Sequence, residues 1–245
     1  MIKRLYLLTL LLVVSQMIFA KGTRWGLQAG WNNSSMKIGY NNGWNINSIN
    51  DFNVGIFSEY YFSKRFAMQL GAFYTSKGAN FNGSWYSYNY GSNGYYTYFT
   101  NTKLKINTAY IEFPANFLIC FYPNSSIKIL SYIGPYVGIG INGRYQSQLE
   151  SPYIEPDTNP YNASGAITYT GEEKILKLFD WGINLGFGIE YSSFRLSTQY
   201  GLSFTDNNAN NYSSSKALMV RNLGTIHNSV FSISLGYVFP FSRIL

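Results

Sequence analysis

Two residues near the end of the chain have the types and spacing of a catalytic pair. His227 is the single histidine of the sequence, and Ser229 follows it two residues later. In an extended strand both side chains point to the same face. The imidazole could take the proton of the serine hydroxyl, with Asp206 orienting the ring. The alternative is a histidine at the start of a strand with no chemical role, because this spacing is common by chance.

Other chemical sites have little support in the residue types. One His and one Cys, Cys120, cannot form a disulfide within the chain or supply a metal cluster. The acidic residues between 150 and 173 lack the spacing of an EF-hand loop. Gly182, Gly186 and Gly188 lie in one extended segment instead of opening a helix, so they make room in a sheet and do not form a phosphate loop. We therefore expect no cofactor and no metal.

The segment that carries these glycines has one apolar face and one polar face. From Phe179 to Tyr191 every second residue is large and apolar, and between them stand Asp180, Asn184, Glu190 and the three glycines. A soluble sandwich also alternates, but its apolar face packs against another sheet. An aromatic-rich face opposite glycines and carboxylates is typical of a barrel whose outside meets lipid.

Eight segments show this period of two, which predicts an all-β, eight-stranded antiparallel up-and-down transmembrane β-barrel. The segments are 24–31, 52–62, 66–75, 108–121, 127–141, 179–191, 194–204 and 229–239. The predicted short periplasmic turns are 63–65, 122–126 and 192–193, and the predicted long extracellular loops are 32–51, 76–107, 142–178 and 205–228. Since no linker divides the strands, residues 21–245 are predicted to form one barrel domain.

Alternation also sends charged side chains into the predicted barrel. An unpaired charge in a narrow interior would cost several kcal/mol, so we expect a structural network of salt bridges. A proton or ion path is the functional alternative, although eight strands leave an interior only just wide enough for side chains. Glu190 and Arg195 flank the turn at 192–193 and should face each other across it. The predicted network consists of Arg24, Glu59, Glu112, Lys128, Asp180, Glu190 and Arg195.

Six basic residues are predicted near the outer ends of the strands. There they could bind lipopolysaccharide phosphates through charge-assisted hydrogen bonds, with ordinary solvated charges as the alternative. They are Lys77, Lys103, Lys105, Arg144, Lys174 and Lys177. The formal net charge is +7, but the basic residues are scattered along the chain, so we expect no nucleic-acid partner.

The N-terminus has the pattern of a secretory signal. A basic start at Lys3 and Arg4 precedes an apolar run over 5–18, and Ala20 offers a small residue for cleavage. A membrane anchor helix is the alternative, but the run is shorter than the about 20 residues that span a bilayer. We therefore predict a cleaved signal peptide at residues 1–20.

Six short motifs occur in order along nearly the whole chain. They are GLQAG at 26–30, FAMQLGAFYTSKG at 66–78, YIEFP at 110–114, GPY at 134–136, DWGINLGFGIE at 180–190 and QYGLSF at 199–204. As a set they resemble the PorT-like family of outer-membrane β-barrel proteins. The resemblance implies an eight-stranded barrel in the outer membrane of a Gram-negative bacterium, usually with no known activity. Its named member assists a secretion system.

The last strand resembles the targeting signal that the barrel-assembly machinery reads. The matching residues, at a polar, glycine, aromatic, aromatic spacing, are Ser234, Gly236, Phe239 and Phe241. The final aromatic usually ends such a chain, whereas here residues 242–245 follow it.

These observations predict a non-enzymatic outer-membrane protein that acts through its loops or its periplasmic face in binding, envelope organisation or secretion-system assembly. The expected partners are outer-membrane lipid, lipopolysaccharide, the barrel-assembly machinery and a secretion-system or surface protein. The loop segment 80–101, rich in Tyr and Asn, is the predicted partner contact, with shielding of the barrel mouth as its alternative. Two other functions stay open: a small channel, and a lipid A-modifying hydrolase, because the placement of His227 and Ser229 resembles that in outer-membrane lipid A deacylases.

Overall fold

Nine strands account for most of the described chain. The structure, a computed structural model, describes residues 23–39, 43–91, 94–150, 161–172, 174–209, 220 and 223–239, with the backbone alone for 85–91, 94–100, 150 and 161. The predicted signal peptide lies outside these residues. The strands are β1 (Thr23–Ile38), β2 (Trp44–Tyr61), β3 (Phe66–Gly91), β4 (Gly94–Phe121), β5 (Ile127–Glu150), β6 (Tyr161–Ala166), β7 (Phe179–Tyr191), β8 (Phe194–Ser203) and β9 (Ile226–Val238). No helix in the described residues is long and apolar enough to cross a membrane.

Eight of these strands close into a ring. Each strand from β1 to β5 pairs antiparallel with the next, then β5 pairs with β7, β7 with β8 and β8 with β9. β9 returns to β1, where Gly26 faces Val238 and Ile38 faces Ile226. Closure pairs the backbone groups of the ring strands with one another, which strands in lipid require. The predicted eight-stranded antiparallel barrel is confirmed, and β6 is a ninth strand outside the ring.

The wall of the ring is apolar outside and polar inside. In β7, Phe179, Trp181 and Leu185 are more than half exposed, whereas Asp180 and Glu190 are buried. We call the band of exposed apolar side chains around the ring the apolar belt. It includes Leu27, Val54, Ile56, Phe113, Phe117, Ile133, Val137, Trp181, Leu185, Phe187, Leu196, Tyr200, Ile233 and Leu235. A closed sheet with this polarity has its apolar solvent on the outside.

Short turns join the strands at one end, as the sequence predicts. Residues 62–65, 122–126 and 192–193 connect β2 to β3, β4 to β5 and β7 to β8. Ser192 adopts a φ of 56°, and two-residue hairpins favour such positive φ values. We call this end the turn end and the opposite one the loop end.

The strands are longer at the loop end than the sequence predicts. β3 and β4 pair from Phe66 opposite Ile119 to Gly91 opposite Gly94, so the predicted loop 76–107 is a paired hairpin. The predicted loop 32–51 contains the upper parts of β1 and β2, and 142–178 contains the end of β5 and all of β6. These three loop predictions are wrong over those residues. We call residues 33–38, 44–51, 75–91, 94–109, 142–150 and 161–166 the extension.

Polarity reverses in the extension, which explains why alternation misses it. Phe81, Leu104 and Ile106 are fully buried, whereas Asn82 and Lys105 are exposed. Above the apolar belt the outside meets water, so the polar side chains turn outward. A prediction that requires an apolar outer face therefore assigns this segment to a polar loop.

An apolar core fills the loop end. We call it the loop-end core, and its buried members are Met36, Ala79, Phe81, Leu104, Ile106, Tyr110, Tyr145, Ile167, Tyr169, Ile175, Leu176, Val220, Leu223 and Ile226. All but Tyr110 lie in segments that the sequence predicts as four separate loops. Only tertiary structure brings these segments together.

Two glycines in the wall make room for tyrosine rings inside the barrel. A Cβ at Gly186 would come closer than 3 Å to the ring of Tyr132, and a Cβ at Gly140 would do so to the ring of Tyr169. Real Cβ atoms do not approach that closely. These positions therefore need glycine so that the rings can pack flat against the wall.

Candidate functional site

Charged side chains occupy the barrel interior in two groups. The structure places all seven predicted network residues inside and adds Lys77, which gives four cations and four anions. The turn-end cluster consists of Arg24, Glu59, Lys128, Glu190 and Arg195. The central cluster consists of Lys77, Glu112 and Asp180. The formal charges of the two clusters together cancel.

Arg195 joins the two carboxylates of the turn-end cluster. Its Nη1 lies 2.5 Å from Glu59 Oε1, and its Nη2 lies 2.6 Å from Glu190 Oε2. Its Nε also donates to Glu190 Oε2 at 3.2 Å. Arg195 faces Glu190 directly in the β7–β8 register, as predicted. The planar fork of the guanidinium thus holds two carboxylates from opposite sides of the barrel.

Two further cations and a tyrosine complete this cluster. Arg24 Nη2 lies 2.5 Å from Glu190 Oε1, and Lys128 Nζ lies 2.8 Å from Glu190 Oε2 and 3.7 Å from Glu59 Oε2. The Tyr61 hydroxyl accepts a hydrogen bond from Lys128 Nζ at 2.7 Å and donates one to Glu59 at 2.8 Å. Tyr61 is not among the predicted network residues, although it follows Glu59 by two residues and so shares its inward face.

Lys77 corrects one prediction. The sequence places it at the outer rim among the lipopolysaccharide contacts, but it is 2% exposed and points into the barrel. Its Nζ forms ion pairs with Glu112 and, at 3.0 Å, with Asp180. The predicted strand ends at Thr75. The inward-facing positions of this strand are 69, 71, 73 and 75, and one further step of two residues would have placed Lys77 inside.

Asp180 ties β7 to its neighbours. Its carboxylate accepts hydrogen bonds from Ser203 Oγ, from Asn228 Nδ2 at 3.2 Å and from Asn207 Nδ2 at 3.4 Å, in addition to the Lys77 ion pair. These donors come from β8, β9 and the segment after β8. A buried carboxylate with this many donors is structurally compensated.

A small polar cavity lies between the two clusters. Its volume is about 40 Å³, and Gln69, Asn116, Asn184 and Ser232 are among its lining residues. A space of this size has room for about three water molecules. Since charged clusters lie on both sides of it and the loop-end core lies beyond, little open space is left along the described interior.

The candidate catalytic residues do not form a triad. His227 and Ser229 lie on the same face of β9, opposite the inward-facing side chains, and Ser229 Oγ donates to a backbone carbonyl of β1 at 3.4 Å. Asp206 Oδ1 accepts a hydrogen bond from the backbone N–H of Ile226 at 2.9 Å, and Asp206 Oδ2 lies 3.7 Å from Lys177 Nζ. Among the described residues, no hydrogen bond joins Asp206 to His227. The orienting role expected of Asp206 is therefore not seen.

The other five predicted rim cations are exposed at the loop end. They are Lys103, Lys105, Arg144, Lys174 and Lys177. Lys105 and Arg144 line the same groove of about 270 Å³ on the outer wall. The structure therefore brings two of the six predicted lipopolysaccharide contacts into one site.

Amide side chains cover the outer face of the extension above that groove. A second, larger groove of about 680 Å³ lies there. Its lining includes the amides Asn47, Asn80, Asn82, Gln146 and Gln148 and the two cations Lys103 and Lys105. A carboxamide both donates and accepts hydrogen bonds, which suits sugar hydroxyls and peptide groups. This face holds part of the predicted contact segment 80–101, of which the side chains of 85–100 lie outside the described ones.

Two remaining predictions concern assembly and metals. Ser234 and Gly236 lie at inward-facing positions of β9, and Phe239, directly after the strand, is exposed. Phe241 lies outside the described residues, so the assembly signal stays a prediction. Within the described part of the chain, no group of three or more His, Cys, Asp or Glu side chains could hold a metal ion.

The closed ring, its apolar belt and its paired interior charges define a membrane-embedded β-barrel. Residues 15–209 match the family described as outer membrane protein beta-barrel domain, and the chain belongs to that family. No curated protein sequence matches the chain.

Solved structures of small outer-membrane proteins are similar at low identity. The attachment invasion locus protein Ail of Yersinia pestis is 12% identical, with 90% of this chain and 100% of that one covered and a TM-score of 0.36. Neisserial surface protein A is 12% identical, with 89% of this chain and 100% of that one covered and a TM-score of 0.38. OprG from Pseudomonas aeruginosa is 12% identical over 89% and 97%, with a TM-score of 0.32. Likeness at this level carries no conclusion about function.

Proposed function

We propose that this chain is a non-enzymatic, non-conducting outer-membrane protein that works by binding a partner at its loop end. The observation that carries this proposal is the loop-end core, which packs inside the extension up to the level of Phe81 and Leu104. A barrel that only spanned the membrane would need no core above the apolar belt. The β3–β4 hairpin is the longest part of the extension, so we assign the main contact to it.

The filled interior supports the absence of conduction. The two charged clusters pair across the barrel, the cavity between them has room for only a few waters, and the loop-end core lies above. Eight strands enclose little more than their own side chains. The hydrolase alternative has less support still, because Asp206 contacts Lys177 and the backbone of Ile226 instead of His227.

The proposed setting is the outer membrane of a Gram-negative bacterium. Family membership supports it, and the N-terminal pattern at 1–20 supports export with a cleaved signal peptide. The turn end then lies in the periplasm and the loop end outside the cell. The ordered motifs support the finer PorT-like assignment. The partner would then be a component of a secretion system or of envelope assembly, and the barrel-assembly machinery would insert the chain.

Trimming the β3–β4 hairpin tests this proposal. In the variant an Asn-Gly turn replaces residues 84–101, because Gly83 faces Thr102 and Asn-Gly favours two-residue hairpins. We expect the trimmed barrel to keep the gel shift on heating, and crosslinked whole cells to lose the partner that the full chain captures. The control Lys64→Ala, in an exposed turn at the other end, should retain the partner. Stepwise conductance in planar bilayers, or unchanged crosslinking after trimming, would contradict the proposal.

A further inference from the structure

The outer wall carries a groove at the upper edge of the apolar belt. It crosses β3, β4 and β5, and its polar lining comes from Tyr74, Lys105, Asn107, Asn142, Arg144 and Gln146. It lies on the lateral surface of the barrel, away from the top of the β3–β4 hairpin. A molecule that occupied this groove would therefore lie beside the barrel wall, where the apolar belt ends and the extension begins.

A β-bulge shapes this groove. Ala109 faces Asn142, but the next residue, Tyr110, faces Gly140, so Ile141 is an extra residue on β5. A bulge breaks the alternation, and here Ile141 and Asn142 are both exposed. Polar lining thus begins directly beside an apolar side chain of the belt.

Two cations converge on the groove. In the β4–β5 register Lys105 faces Gln146 and Arg144 faces Asn107, so the two cations are diagonal neighbours on one face. Such neighbours are about 7–8 Å apart at Cα, which two long side chains can span to reach one anion. In the described part of the chain neither cation forms an ion pair.

One carboxylate lies beside the groove lining. Asp51 Oδ2 accepts hydrogen bonds from Asn107 Nδ2 at 3.0 Å and from Ser76 Oγ at 2.6 Å. These two donors hold the carboxylate, and the two cations still leave an excess of positive charge at the site. The groove therefore favours an anion.

Chemistry changes in a fixed order along this wall. Below the groove, Phe113, Val137 and Ile141 present apolar surface. The groove with Lys105 and Arg144 comes next. Above it lies the amide-rich groove, which shares Lys105 and Gln146 with the first and is also lined by Lys103. A ligand that fits all three levels has acyl chains, then phosphate, then sugars.

We propose that this wall binds one lipopolysaccharide molecule of the outer leaflet, with a lipid A phosphate between Lys105 and Arg144 and the inner sugars against the amides above. Arg binds phosphate through paired, charge-assisted hydrogen bonds, and Lys adds a point charge. Amides exchange hydrogen bonds with sugar hydroxyls. The inference rests on the proposed orientation, in which the loop end lies outside the cell and the upper edge of the apolar belt lies at the outer leaflet, but it does not involve the partner of the β3–β4 hairpin.

Binding to the purified full-length chain in detergent tests this inference. The probe is lipopolysaccharide with lipid A phosphates and inner-core sugars, and retained complexes are counted by native mass spectrometry. The double variant Lys105→Gln/Arg144→Gln should weaken binding about tenfold or more, because it removes both charge-assisted contacts. The matched control Lys64→Gln/Arg65→Gln removes the same charge from an exposed turn at the far end and should bind like the unaltered chain.

Ligand controls separate the possible sources of the anion. Dephosphorylated lipopolysaccharide should bind to the unaltered chain as weakly as intact lipopolysaccharide binds to the double variant Lys105→Gln/Arg144→Gln. Neither phosphatidylglycerol nor inorganic phosphate should compete with lipopolysaccharide for the unaltered chain. Equal loss in both double variants, no loss in either, or equal competition by phosphatidylglycerol would overturn the inference. The hairpin-trimmed chain keeps this wall and should still bind, so a failed crosslink and a failed lipid contact are distinguishable.

Discussion

This barrel has opposite polarity in its lower half, the part of the ring at the apolar belt, and in its upper half, the extension with the loop-end core. Strands β1 to β5 run through both halves, whereas β7 and β8 belong to the lower one. In the lower half Leu185 faces outward and Arg195 is buried, whereas in the upper half Leu104 is buried and Lys105 is exposed. The backbone pairing continues through the change without a break in most of β3 and β4. What differs is the solvent that surrounds each half.

This difference shows that no single rule of an apolar interior and a polar surface holds for both halves. In each half the outward-facing side chains have the polarity of the surrounding solvent, and the inward-facing side chains interact with one another. Below, charges satisfy one another through salt bridges, and above, apolar side chains pack together. The two interiors should therefore respond differently to the same kind of truncation.

The largest effect is expected from removing Arg195. Arg195→Ala leaves Glu59 and Glu190 short of their main partner in the interior, which should lower the free energy of unfolding by about 4 kcal/mol. Denaturant unfolding of the barrel in detergent measures this. Arg65→Ala, at an exposed turn, should change stability by less than about 0.5 kcal/mol. A loss below about 1 kcal/mol for Arg195→Ala would show that the network is not compensating buried charge.

Truncating the loop-end core should loosen only the upper half. Leu104→Ala removes a fully buried side chain and should cost about 3 kcal/mol of local stability. We expect protease to cut the extension faster while the ring keeps its gel shift on heating. Ile119→Ala, exposed on the same strand, serves as the comparison. Loss of the gel shift in Leu104→Ala would mean that the two halves unfold together.

A lysine introduced on the outer surface should destabilise the barrel where lipid surrounds it and not where water does. Leu185→Lys places a charge near the middle of the apolar belt and should destabilise the barrel in lipid by about 2 kcal/mol. Asn82→Lys adds the same charge to the exposed face of the extension and should have little effect. Refolding equilibria in lipid vesicles measure both. Similar costs at the two positions would contradict the assignment of lipid below and water above.

The smallest effect is expected at the candidate catalytic pair. His227→Asn and Ser229→Ala should leave the mass of lipid A in expressing cells unchanged, because the described contacts of Asp206 do not include His227. Mass spectrometry of extracted lipid A measures this, with the unaltered chain and an empty vector beside it. Any mass change that depends on His227 would reopen the hydrolase alternative.

The sequence predicts the lower half well for a physical reason. Lipid outside and charge inside give strong alternation, so Glu59, Asp180 and Arg195 are assigned inward from spacing alone. Even the pairing of Glu190 with Arg195 follows, because a two-residue turn sets the register.

The upper half is poorly predicted for the same reason. Asn and Ser side chains such as Asn82 and Ser84 face water there, so the pattern has the composition of a loop. A search for strands with an apolar outer face therefore ends the strand that carries Lys77 at Thr75. The loop-end core joins residues as distant as Met36 and Leu223. No local sequence pattern encodes such contacts. The strand β6 also has no local pattern that predicts it, and it is recognised only by its pairing with β5.

The short strand β6 covers an edge of the sheet that would otherwise be exposed. Beyond Ile139 the strand β5 has outgrown β7, and from Arg144 to Leu149 its free side is covered by β6. Without β6, the unpaired backbone N–H and C=O groups of that stretch could pair with a strand of another chain. Pairing with β6 replaces this edge of β5 with the edge of a strand of only six residues, and very short edge strands are poor templates for further pairing.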